Sequence, residues 1–105
     1  PTATVEMEVE GKVKKAAQLG DGPVDATFKA IKKLTGSNAR LLHFAIGAIT
    51  GGTDAQGECT VRLEEEGREV LGQGAHPDII VASAKAYINA LNKLVSAPKR
   101  NTITV

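Results

Sequence analysis

At 105 residues the chain has room for one compact domain and no second core. Its 42% apolar and 24% charged residues are the balance of an ordinary globular protein, not of a disordered segment. Thirteen basic residues against twelve acidic ones leave a net charge of +1, too little to neutralise a polyanion, so nucleic acid is not an expected partner.

The single cysteine, Cys59, cannot close an internal disulfide, and no cysteine–histidine cluster has the spacing of a zinc site. A reducing cytoplasm is therefore the expected compartment. No apolar run approaches the roughly 20 residues a membrane helix needs, and the first residues lack a basic-then-apolar export signal, so no membrane is an expected partner. Phe28, Phe44 and Tyr87 are the only aromatic residues. A core built from such small side chains buries a modest area, which predicts a dimer.

In chain order, Ala3, Val5, Met7 and Val9 alternate with Thr4, Glu6 and Glu8 as in a half-buried strand. Glu10-Gly11 turns the chain into a second strand, Val13 to Leu19. Gly20-Asp21-Gly22-Pro23 ends that hairpin, and the proline suits the first turn of a helix. Val24, Phe28, Ile31 and Leu34 recur at helical spacing until Gly36 stops the helix. The nearly continuous apolar run Leu41 to Ile49 predicts a strand covered on both faces. After a loop at 51–57, Cys59, Val61 and Leu63 alternate with charged and polar residues, and Glu66-Gly67 turns into a strand through Val70 and Leu71. A second glycine corner at 72–78 precedes a helix capped by Asp78 and running to about Val95. Ile80, Ala84, Tyr87, Leu91 and Leu94 form its main stripe, flanked by Ala82, Ala86 and Ala90.

The chain repeats itself. Each half holds a hairpin, a corner with glycine and proline, and a helix carrying Ala-x-x-Lys-Ala, at Ala26–Ala30 and Ala82–Ala86. Two hairpin-plus-helix units with one added long strand predict an α+β fold, one sheet with its helices on one face. The domain core spans about 3–96, with a tail at 97–105.

No nucleophile, acid or base constellation is present, and His43 and His76 stand apart from any Ser or Cys motif. His43 is expected at a strand interface, and His76 as a cap or ligand contact. Glu64-Glu65-Glu66 reads as a solvated hairpin end, and Cys59 as an inert core residue. The first glycine corner allows close backbone approach and offers helix amides to an anion, although a sharp strand-to-helix corner also uses glycine for backbone reasons alone.

Gly-Asp-Gly-Pro-Val-Asp-Ala at 20–26, Gly-Thr-Asp-Ala-Gln-Gly-Glu at 52–58, and the helix segment at 80–94 together resemble the regulatory domain of 2-isopropylmalate synthases. The resemblance implies L-leucine as feedback inhibitor, bound near a homodimer interface. It also implies a separate catalytic domain as partner, which alone would hold a divalent metal, so no cofactor is expected here. The inhibitor pocket it implies comprises Gly20, Gly22, Pro23 and Val24, then Leu41, Phe44 and Ala48 on the long strand, Ala55 in the next loop, and Ala75 and His76 at the second corner. Phe44 stands where that family often has tyrosine. Two alternatives stay open: an isoleucine-sensing domain of the related citramalate synthases, and a dimerisation module without ligand.

Overall fold

The computed structural model describes residues 2–9, 11–49, 56–95 and 103–104. The strands are β1 (Thr2–Val9), β2 (Lys12–Leu19), β3 (Arg40–Ile49), β4 (Gln56–Glu65), β5 (Arg68–His76) and β6 (Ile103–Thr104). Helix α1 (Pro23–Thr35) follows β2, and α2 (Ile79–Leu94) follows β5. The α+β class and the paired hairpin-plus-helix units are as expected. The strands divide between two antiparallel sheets, β2-β1-β6 and β3-β4-β5, which share one hydrophobic core.

The repeat is closer than its helix motif alone suggests. Each residue of β1, β2 and α1 corresponds to the residue 56 positions later in β4, β5 and α2. Gly11 and Gly67 both take a φ of 80°, and Glu66 precedes the latter at 54°, the left-handed pair that a tight hairpin turn requires. The buried hydroxyls correspond too. Thr27 donates to the Pro23 carbonyl at 2.7 Å, and its counterpart Ser83 donates to the Ile79 carbonyl at 2.8 Å. The third strand of each sheet follows the helix of the other half: β3 follows α1 and joins β4, and β6 follows α2 and joins β1.

Besides the expected single sheet, which is two because the third strand of each half crosses to the other, two sequence expectations change. The second glycine corner is largely strand, because β5 continues to His76. Gly72 and Gly74 face α2 so closely that an added Cβ would lie 2.1 Å from the Ala86 carbonyl oxygen and 2.5 Å from that of Ala82, respectively. The flank Ala82, Ala86 and Ala90, fully buried, is the surface that meets those glycines. Among the described residues, the long strand β3 is not covered on both faces. It lies at a sheet edge, with Leu41, Leu42 and Ile46 respectively 43%, 40% and 54% exposed. Both helices are used elsewhere, α2 on β4 and β5, and α1 on β1 and β2. An apolar run therefore signals a covered strand only if the cover belongs to the same chain.

Candidate functional site

Two features border β3, and both come from α1. Along the sheet face that carries α2, Leu41, Phe44 and Ile46 pair with the buried Leu63, Val61 and Cys59, so their side chains share that face. Phe44 meets Phe28 of α1 edge-to-face at 5.4 Å, and Phe28 stacks on Tyr87 at 4.6 Å. Burial pushes the Tyr87 phenol up to about 12. Next to this aromatic group a cavity of about 160 Å³ opens between α1 and β3, lined by Phe28, Leu41, Ala39 and Tyr87, with Asp25, Lys29 and Lys32 also on its wall. Asp25 accepts from the Asp21 amide at 2.9 Å and pairs with Lys29 at 3.3 Å, and these contacts, the amide first, hold its carboxyl below the ordinary aspartate range.

The two helix N-termini differ. Gly22 caps α1 with extended backbone and no side-chain bond, and a Cβ added there would meet nothing within 4 Å. Its counterpart Asp78 caps α2 by accepting from the Ile80 amide at 2.8 Å. His76 accepts from the amide of that cap residue, Asp78, through Nδ1 at 2.9 Å. One first-turn amide of α2, that of Ile80, is thus answered by a side chain, whereas no side chain answers the first turn of α1, whose cap position lies beneath open space. Gly20 has a different reason to be glycine: an added Cβ would lie 2.4 Å from the Ala26 nitrogen.

The residues the sequence implicated are only partly gathered. Pro23 and Val24 open α1, Leu41 lines the cavity beside that helix, and Phe44 packs on Phe28. Ala48 holds the register position opposite Gly57, which in turn pairs with His76; its side chain, and the whole of Ala55, lie outside the described residues. Ala75 pairs with Glu58 and so takes the opposite sheet face from His76. Within one chain these two do not converge on a common pocket. His43 pairs with Arg62 on the outer face and is exposed, not enclosed at a strand interface. Cys59 is buried with its sulfur 3.3 Å from the Ser83 hydroxyl. Glu64 does more than solvate a hairpin end. It accepts from the Gly67 amide and pairs with Arg40, and these contacts hold its carboxyl below the ordinary glutamate range.

Sequence reasoning did not single out Asp25, Lys29 or Tyr87 for the region beside β3. Asp25 in the first helical turn, with Lys29 four residues on, was the available signal. Among the described residues, no group of three or more His, Cys, Asp or Glu side chains could hold a metal ion, and no helix is long and apolar enough to cross a membrane.

Residues 1–95 match the model of the LeuA allosteric (dimerisation) domain. The chain belongs to that family. It is 61% identical over 94 residues to a 2-isopropylmalate synthase of Syntrophus aciditrophicus, a match covering 90% of this chain and 18% of that protein. A 2-isopropylmalate synthase of Heliobacterium modesticaldum is 56% identical over 104 residues, covering 97% of this chain and 20% of its own. The chain therefore spans about a fifth of the length of the curated relatives it matches. The family's shared element is an allosteric and dimerising domain, which agrees with a fold that leaves a long apolar strand at an open edge.

Proposed function

We propose that this chain is the non-catalytic regulatory domain of a cytoplasmic 2-isopropylmalate synthase, forming a homodimer and binding L-leucine as feedback inhibitor. The family match over residues 1–95 carries the reading. In the same reading the catalytic domain is a separate part of the synthase, an acyltransferase, and holds whatever divalent metal the reaction uses.

The surface of β3 is the proposed dimer contact. A strand edge with Leu41, Leu42 and Ile46 exposed is a poor surface to leave in water, and a second copy covers it by the same patch on both partners. Ile46→Glu changes a residue that is 54% exposed in one chain, so it is expected to leave the monomer fold intact and to dissociate the dimer. Sedimentation velocity at micromolar concentration checks this; a variant that stays dimeric moves the interface elsewhere.

The proposed leucine site joins the open N-terminus of α1 to the apolar side chains of Val24, Leu41 and Phe44, with the remaining contributions at Gly20, Pro23, Ala48, Ala55, Ala75 and His76 completed across the dimer. The helix amides suit a carboxylate and the apolar wall a branched side chain. Leucine at a hundredfold its Kd is expected to stabilise the fold by about 2.7 kcal/mol, roughly 10–20 °C in Tm. Calorimetric titration with leucine, isoleucine and valine tests it. Preference for isoleucine would indicate a citramalate-type sensor, and no response from a folded dimer would leave a dimerisation module.

A further inference from the structure

Tyr87 leaves its hydroxyl unanswered. The other buried hydroxyls, those of Thr27 and Ser83, each donate to a carbonyl of their own helix. No donor or acceptor among the described residues meets the Tyr87 phenol, although the residue is only 3% exposed. Such a group costs free energy in an apolar core unless something pairs with it. No side-chain oxygen among the described residues is both fully enclosed and unpaired, so the phenol keeps access to solvent. It does so through the cavity of about 160 Å³ between α1 and β3 that Tyr87 helps to line.

The remaining walls decide what could pair there. Phe28, Ala39 and Leu41 are apolar, and Asp25, Lys29 and Lys32 border the cavity from one face of α1. Asp25 is already committed, accepting from the Asp21 amide and pairing with Lys29. Lys32 has no ion pair among the described residues. The uncommitted groups are thus a phenol and an ammonium, and the burial that pushes the phenol up to about 12 keeps its proton in place. Both are donors. Two lysines against one aspartate also leave the wall positive. A fitting occupant brings acceptor oxygens and a negative charge, with an apolar body against Phe28 and Leu41. An ammonium group on that occupant would lie among lysines with no free carboxylate to meet it.

We infer that this cavity is a second ligand site, taking a short aliphatic carboxylate without an ammonium group, its oxygens on Lys32 and Tyr87 and its tail on Phe28, Ala39 and Leu41. The inference goes beyond the leucine reading and does not rest on it, since Leu41 alone of the residues named for leucine lines these walls. A ligand there bridges α1, α2 and β3, the three elements that Phe28, Tyr87 and Phe44 already join.

The test compares 4-methylpentanoate, which is leucine without its ammonium group, with leucine itself. Tyr87 is the only tyrosine and there is no tryptophan, so tyrosine emission reports the surroundings of this one phenol. Leu41 also belongs to the proposed dimer contact, so every titration is made at one protein concentration. Added 4-methylpentanoate is expected to change the emission saturably, with an affinity that leucine leaves unchanged. Lys32→Met, at an exposed position, is expected to weaken that binding about tenfold or more while leaving the leucine-dependent Tm shift in place. Tyr87→Phe keeps the ring on Phe28 and removes only the hydroxyl; by calorimetry it too is expected to bind 4-methylpentanoate more weakly. No saturable change, displacement by leucine, or parent-like binding in both variants overturns the site. The Tm shift in the same samples reports leucine sensing separately, so either reading can fail without the other.

Discussion

Gly72→Ala is expected to destabilise the domain by about 3 kcal/mol or more, beyond the usual cost of a single methyl, because the atoms in its way are backbone. The new Cβ would sit 2.1 Å from the Ala86 carbonyl oxygen and 2.5 Å from the Ala90 nitrogen. No rotamer change relieves that clash. Helix α2 must lift from β5, and the buried Ala82, Ala86, Tyr87 and Leu91 lose contact with the sheet together. For a domain of this size the loss corresponds to a fall in Tm of roughly 10–20 °C. The repeat supplies the control. Ala16 is the counterpart of Gly72 in β2, so the first unit already accommodates a methyl there, and Ala16→Gly is expected to cost under about 1 kcal/mol. Thermal unfolding at one fixed protein concentration compares the two, since dimerisation makes Tm concentration-dependent. If Gly72→Ala falls within about 0.5 kcal/mol of the parent, like an ordinary surface change, the close helix–sheet contact is wrong.

The same glycines mark where sequence reasoning succeeded and where it stopped. Alternation and helical spacing located both hairpins and both helices, because each element buries one face and its pattern records which. Asp78 was legible as a cap because the chemistry of a cap lies within three residues. Gly72 and Gly74 read as a loop because the reason for them lies in α2, and a glycine tolerated by a turn looks the same as one required by a neighbour. Leu41 to Ile49 read as doubly covered for a related cause: hydrophobicity reports that a surface is to be buried, not by which molecule. The candidate site was less legible than the fold. Its position near α1 and β3 came from family resemblance, while the sheet-face parity that separates Ala75 from His76 depends on strand register, which a corner-like sequence conceals. The division into two sheets was hidden for a topological reason, since the third strand of each half crosses to the other.

Gly22→Asp is expected to abolish the leucine response without weakening the fold. Its counterpart Asp78 shows what a side chain does at that point: Oδ1 accepts from the amide two residues on, at 2.8 Å. Residue 22 has extended backbone and open space above it, so aspartate fits without strain and would answer the Val24 amide in the same way. Capping and the helix dipole together favour the variant by a few tenths to about 1 kcal/mol, less whatever repulsion Asp25 retains beside Lys29. A ligand carboxylate would then meet an occupied amide and a like charge. Loss of a hydrogen bond to a charged group is worth about 1.5–3 kcal/mol, so affinity should fall at least tenfold, and further once repulsion is added. Titration calorimetry on the parent and on Gly22→Asp, with unfolding curves taken without leucine, reads both halves. Gly22→Asn caps without charge, and a smaller loss in that variant would apportion the effect between occupied amides and repulsion. Should Gly22→Asp bind leucine as the parent does while remaining folded, the carboxylate does not dock at α1, and the cavity beside Leu41 and Tyr87 becomes the place to look.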